Sequence, residues 1–139
     1  MRFGILGDAK IAREELLPAI RSSGHEVIHL GRRKPEDGAN PIWNDIRVSD
    51  YQGVLDDPEV EAVYIPLPNH LHVPYSIKSL NAGKPVICEK PLSLSLNDID
   101  ELEKVSERTG LYIYDGFMIS YHPQWEWLKN LDIGGLQHI

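Results

Sequence analysis

Near the amino terminus Gly7, Ala9 and Ala12 recur in the spacing Gly-x-Ala-x-x-Ala, directly after the apolar run Arg2-Phe3-Gly4-Ile5-Leu6. That spacing suits a pyrophosphate. Gly7 lets the chain reverse tightly, a small residue at Ala9 lets backbone approach the anion, and Ala12 lets a helix pack close to its strand. Asp8, Ala9, Lys10 and Ile11 open that helix, where N–H groups have no intrahelical partner and face an anion. Small-residue turns also punctuate ordinary strand-to-helix connections, so the motif gains weight only from its surroundings.

The first such support is a basic cluster, Gly31-Arg32-Arg33-Lys34, at the end of the next apolar run. In a dinucleotide fold an acid about 20 residues past the third small residue holds the ribose 2′-hydroxyl of NAD, whereas Arg accommodates the 2′-phosphate of NADP. Here no carboxylate competes, Gly31 leaves space, and Arg32 and Arg33 offer forks for bidentate contact. The cluster favours NADP, with NAD still open, over a merely solvated basic loop. Farther on, Glu89-Lys90-Pro91 follows the apolar run Pro85-Val86-Ile87-Cys88. If both runs are parallel strands, Lys90 emerges at the carboxyl edge of the sheet, where ligands bind in open α/β folds. Lys90 there can hydrogen-bond a substrate hydroxyl and favour its oxyanion as hydride leaves, with Glu89 fixing its position. In isolation the same pair is an ordinary surface ion pair. His70 and His72 flank one residue, but no Cys or carboxylate cluster completes a metal site, so no metal is expected and Asn69 reads as a helix N-cap.

These residues need an alternation of strands and helices to position them. The patterning predicts strands at Arg2 to Leu6, Glu26 to Leu30, Ile46 to Val48, Ala62 to Ile65, Pro85 to Cys88 and Leu111 to Tyr114. Helices are expected from Lys10 to Ser22, Tyr51 to Leu55, Leu71 to Asn81 and Leu96 to Arg108, with Ser95 or Asn97 capping the last and Gly110 ending it. Repeated strand, helix, strand of this length implies an α/β fold, one doubly wound, mostly parallel sheet with helices on both faces.

Two long segments carry a family resemblance: Val60-Glu61-Ala62-Val63-Tyr64-Ile65-Pro66-Leu67-Pro68-Asn69-His70-Leu71-His72, and Ala82-Gly83-Lys84-Pro85-Val86-Ile87-Cys88-Glu89-Lys90-Pro91-Leu92. They resemble the glucose-fructose oxidoreductase, inositol dehydrogenase and rhizopine-catabolism family of NAD(P)-dependent sugar oxidoreductases. The likeness runs from Phe3 through Phe117-Met118-Ile119-Ser120-Tyr121-His122-Pro123 and is strongest toward the dihydrodiol and xylose dehydrogenase branch. It implies a Rossmann-type fold and hydride transfer between a nicotinamide and a sugar or diol hydroxyl. Pro66, Leu67, Asn69 and His70 would lie along the nicotinamide ribose side, and Lys90, beside Glu89, would reach the reacting centre. It also implies a division into an NAD(P)-binding Rossmann domain, 1–123, and a connecting helix with the start of a truncated second domain, 124–139; the family's C-terminal α+β domain is absent. Ser120 stands where that branch usually carries Arg, and Asp8 places a carboxylate beside the pyrophosphate, which repels unless it points away.

Composition narrows the remaining classes. The 139 residues, 42% hydrophobic and 25% charged, suffice for one soluble domain with a core that needs neither disulfide nor metal. The single cysteine, Cys88, fits a reducing cytoplasm. No apolar run is long enough to span a membrane and no basic-then-apolar leader is evident, so a cytoplasmic location without membrane insertion is expected. With 14 basic against 21 acidic side chains the net charge of -7 disfavours nucleic acid and anionic membranes. A sugar or diol would be turned over only with a second domain supplied. The apolar Trp125, Trp127, Leu128, Leu131 and Ile133 and a strand expected at Leu136 to Ile139 predict a homo-oligomer, unless the two Trp fold back over the sheet. A stand-alone NADP(H)-binding or sensing module, or an interaction protein that has lost its ligand, are the competing readings.

Overall fold

The computed structural model describes residues 1–131 and 134. Six strands, β1 (Arg2–Leu6), β2 (Glu26–Gly31), β3 (Arg47–Ser49), β4 (Ala62–Ile65), β5 (Val86–Cys88) and β6 (Ile113–Asp115), form one sheet in the order β3-β2-β1-β4-β5-β6. Every pairing is parallel. The strand order reverses between β1 and β4, and this is where open α/β sheets leave a crevice for ligands at the carboxyl ends of the strands.

Alternate residues of β1 feed two cores, as the strand period of two requires. Phe3 and Ile5 pack with Leu17 and Ile20 of α1 (Leu17–Ser22), with Val27 and Leu30, and with Trp43 from the loop before β3. Leu6 faces the other way, among Val54 and Leu55 of α2 (Tyr51–Asp56), Leu80 of α3 (His72–Asn81) and Val105 of α4 (Leu96–Thr109). Val63 and Ile65 of β4 are completely buried. Each such side chain contributes about 1.5–3 kcal/mol relative to exposure, and a continuous apolar run is what a central parallel strand demands.

Element types follow the sequence pattern, with physical reasons for the differences. Residues 10–22 are helical throughout, but Ala12–Leu16 is wound as a π-helix. Pro18, just beyond, has no N–H to donate back and its ring crowds the preceding turn, which widens it. Strands β3 and β6 lie one to two residues later than the apolar pattern suggests. Ile46 belongs to the core instead, and Leu111 and Tyr112 lead in to β6. Asn69 caps nothing: it is the first residue of a 3-10 turn, Asn69–Leu71, whose cap position is Pro68. Ser95 occupies the cap position of α4 without a side-chain bond to it, and Gly110 ends α4 in the left-handed region as expected.

Under β4, Lys84 is buried and its Nζ donates to the carbonyls of Asp57 and Val60, each at 2.8 Å. Burial pushes its ammonium below the usual lysine range. Beyond β6, α5 (Gln124–Lys129) buries none of its residues. Trp125 and Trp127 stay 42% and 63% exposed, so they do not fold back to cover the sheet. Ile133 and the strand expected at Leu136 to Ile139 lie outside the described residues. No helix among the described residues is long and apolar enough to cross a membrane.

Candidate functional site

Four loops meet at the carboxyl edge of the sheet. The Gly7 turn leaves β1, with Gly7 N–H donating to the Gly31 carbonyl at 2.9 Å, so the turn is anchored where β2 ends. Gly7 has φ +115, and a Cβ there would lie 3.1 Å from Leu67 Cδ2 in the loop after β4. Any side chain would strain the backbone and fill the space against Leu67, so glycine is required both for the turn and for the close approach. The first helical bonds run from the Ala12 and Arg13 N–H groups to the Ala9 carbonyl, leaving the earlier amides at the helix start without partners of this kind. Lys10 is exposed and pairs with Glu14 at 3.6 Å, away from any bond to the turn.

Asp8 is the unexpected feature of this turn. Its Oδ1 accepts from Arg13 at 2.7 Å and from Trp43 Nε1 at 2.8 Å, and its Oδ2 lies 3.8 Å from Arg32 Nε. Burial pushes its carboxyl up, but the bonds from Trp43 and Arg13 and the charges of Arg13 and Arg32 outweigh this and hold it below the usual carboxylate range. The negative charge is therefore turned onto cations and an indole N–H, which answers the repulsion expected beside a pyrophosphate. Neither Arg13 nor Trp43 was signalled as a site residue by local spacing, although an isolated Trp in the polar passage before β3 is the trace that could have revealed one.

At the end of β2 a cavity of about 230 Å³ is lined by Asp8, Arg32, Arg33, Lys34, Asp37 and Tyr51. Arg32 is only partly free, since it donates to the Gly38 carbonyl and approaches Asp8, whereas Arg33 and Lys34 are exposed. Gly31 does not make room for an anion. A Cβ there would lie 3.1–3.2 Å from Tyr51, Val54 and Leu6, so its smallness serves packing against α2. Two acids share the cavity with three cations, leaving it net basic.

On the other side of the switch point Pro66, Leu67, Asn69 and His70 follow β4, and Glu89 and Lys90 follow β5. Glu89 does not hold Lys90 in place. Its Oε1 accepts from the Tyr64 hydroxyl at 2.7 Å, and its N–H donates to the Ile65 carbonyl at 3.0 Å, so it is tied to β4. Burial, with the Glu89 bond and charge, pushes the Tyr64 phenol well up, which keeps it a hydrogen donor. Lys90 is exposed and its ammonium makes no hydrogen bond or ion pair among the described residues. His70 is exposed beside a groove shared with Asn69, Ser93 and Asp98. His72 is buried with both ring nitrogens on backbone carbonyls, so the two His do not form a ligand pair. Among the described residues no group of three or more His, Cys, Asp and Glu is arranged to hold a metal.

A second constellation lies under β2 and β3. His29 Nδ1 is 2.7 Å from Asp57 Oδ2 and its Nε2 is 2.8 Å from Ser49 Oγ, the residue order of a nucleophilic triad. The Ser49 hydroxyl, however, donates to the Asp50 carbonyl, and Gly53 lies over it so closely that a Cβ would sit 2.4 Å away. The arrangement braces the sheet.

A parallel sheet of this order, with a glycine turn at the switch point and a basic cavity at the end of the second strand, defines a dinucleotide-binding domain of the Rossmann type. The chain belongs to the oxidoreductase family with an NAD-binding Rossmann fold, the glucose-fructose oxidoreductase, inositol dehydrogenase and rhizopine group, whose model matches residues 1–117. It is 41% identical over 139 residues to an uncharacterized oxidoreductase of Rhizobium meliloti, covering 97% of this chain and 42% of that protein. It is 34% identical over 127 residues to the D-xylose 1-dehydrogenase (NADP(+)) 2 of Haloferax volcanii, covering 88% of this chain and 39% of that enzyme. Among solved structures, KijD10, a 3-ketoreductase from Actinomadura kijaniata in complex with NADP and TDP-benzene, superimposes with a TM-score of 0.85 at 32% identity, over 92% of this chain and 40% of that one. The chain thus spans about two fifths of the length of these relatives.

Proposed function

We propose that this chain is the cofactor-holding domain of an NADP-dependent oxidoreductase acting on a sugar or diol hydroxyl. The observation that carries the reading is the convergence of the Gly7 turn with a cavity walled by Arg32, Arg33 and Lys34 at the switch point. The residues fit such a ligand: the Gly7 turn brings the start of the following helix to the sheet edge, where its first amides suit a pyrophosphate, and the exposed Arg33 and Lys34 supply cations for a 2′-phosphate while NAD would leave them unused. Bound at this edge, NADP supplies the acceptor or donor of hydride. Lys90 would donate a hydrogen bond through Nζ to the substrate oxygen and steady the negative charge that grows there as hydride adds to the carbonyl carbon, its ammonium supplying the proton that completes the hydroxyl. Pro66, Leu67, Asn69 and His70 line the nicotinamide side, and Glu89 stiffens the Lys90 loop through Tyr64.

The experiment is a fluorescence titration of the protein with NADPH and NADH. NADPH should bind more tightly, and Arg33→Ala or Arg32→Ala should cost about 1–3 kcal/mol of NADPH affinity, the scale of a charge-assisted bond, with NADH little changed. Equal affinities of the parent protein for the two cofactors would overturn the proposal.

A further inference from the structure

His72 opens α3 and is 1% exposed. Its Nδ1 is 2.8 Å from the Pro91 carbonyl oxygen and its Nε2 is 2.6 Å from the Leu67 carbonyl oxygen. Leu67 belongs to the loop after β4, and Pro91 directly follows Lys90 in the loop after β5. Carbonyl oxygens only accept, and a neutral imidazole has a single N–H, so both bonds hold together only when each ring nitrogen carries a hydrogen. Three residues of these loops, Pro66, Pro68 and Pro91, have no N–H with which the loops could cross-link each other. The ring provides that link from beneath.

We infer that His72 is a positioning residue, a doubly protonated ring that clamps the Lys90 loop to the Leu67 loop and so sets where the Lys90 ammonium stands at the sheet edge. Each bond is charge-assisted, and such bonds are stronger than neutral ones. They offset the unfavourable placement of a cation at a helix start. The two carbonyls are the only partners of the ring nitrogens among the described residues. The importance of this placement for chemistry rests on the cofactor reading above, whereas the clamp itself does not.

The test has two independent arms. Nitrogen-15 NMR of the ring in the 139-residue protein at neutral pH should give two protected ring N–H signals, with couplings across the bonds to the Leu67 and Pro91 carbonyls. A single ring N–H would overturn the clamp. The second arm compares His72→Gln, which keeps one donor, with His72→Leu, which keeps none. Amide exchange at Leu67, Glu89 and Lys90 should quicken about tenfold in the Leu variant, the equivalent of one lost hydrogen bond, and less in the Gln variant. Amides of β1 and β2 should stay as they are. Acceleration spread evenly over the sheet would mean general destabilisation and would refute a positioning role; if the Leu variant does not fold, the Gln variant alone decides by the same pattern. NADPH titration of the same proteins separates the two readings. Failure of the parent to bind overturns the cofactor proposal and leaves the clamp to the ring signals. A parent that binds, together with folded variants whose Leu67, Glu89 and Lys90 amides exchange as in the parent, overturns the positioning role.

Discussion

Among the described residues Lys90 carries its ammonium at the sheet edge without a partner, while the acid next to it in sequence is bonded to Tyr64. A lysine left so is available to a ligand and contributes little to folding. Lys90→Ala should therefore leave stability and NADPH affinity within about 0.5 kcal/mol of the parent, as surface substitutions usually do. Turnover should respond differently. In a protein of the relatives' length, the same substitution should abolish reduction of NADP by a sugar or diol. The 139-residue chain should bind cofactor and turn over negligibly, because Lys90 alone lacks the enclosed site that hydride transfer needs. Robust NADP reduction by the short chain would overturn the expectation of negligible turnover, and an unaffected Lys90→Ala enzyme would remove Lys90 from its assigned role. Asp8 makes the complementary point: its charge in the Gly7 turn is already met by Arg13 and Trp43.

Between the elements, the buried carboxylate of Asp57 forms a polar brace. It accepts from the Glu59 N–H at 2.9 Å, faces His29 Nδ1 at 2.7 Å, and pairs with Arg47 at 3.0 Å, joining β2, β3 and the turn before β4. Burial pushes its carboxyl up, and these donors more than compensate, holding it below the usual range. A carboxyl lowered on folding stabilises the native state above its unfolded pKa of about 3.9, and that contribution is lost as pH falls through the lower folded value. Asp57→Asn should thus cost about 1–3 kcal/mol at pH 7, from the broken bonds to charged partners. It should also flatten the acid limb of the stability curve. Denaturant melts from pH 7 down to pH 3 would show both, and an acid limb identical to the parent's would count against this brace. Many elements were legible in the sequence, since β4 is a continuous apolar run and Gly110 is the left-handed end of α4. The side-chain links were not. Trp43 reaches Asp8 across 35 residues, and no local periodicity records a bond at that separation. Local spacing placed Glu89 beside Lys90, whereas the parallel pairing of β4 with β5 places it beside Tyr64.

Over the whole molecule the two faces of the sheet are covered unequally. Helices α2, α3 and α4 all pack on one face, whereas the other has α1 and Trp43 over β1 and β2. Beyond them, Phe3, Ala62, Val86, Ile87 and Tyr114 line an apolar trough of about 130 Å³. A second trough, formed by Ile87, Tyr114, Phe117, Met118 and Tyr121, continues it past the end of β6. Phe117, Met118 and Tyr121 are 54%, 59% and 80% exposed, and Trp127 lies farther along the same stretch. Apolar surface gathered in this way is unfavourable in water and is usually covered by another surface. The 139-residue protein is therefore expected to self-associate through this face, and light scattering at micromolar concentration should report a dimer or larger species. Tyr114→Glu with Phe117→Glu should return it to monomer, because charges buried unpaired in such an interface cost more than the apolar contact contributes. The two sites lie on the face opposite α2, α3 and α4, so the double variant should melt close to the parent. A parent that scatters as a clean monomer would rule the association out, and an oligomer that persists in the double variant would place the interface elsewhere.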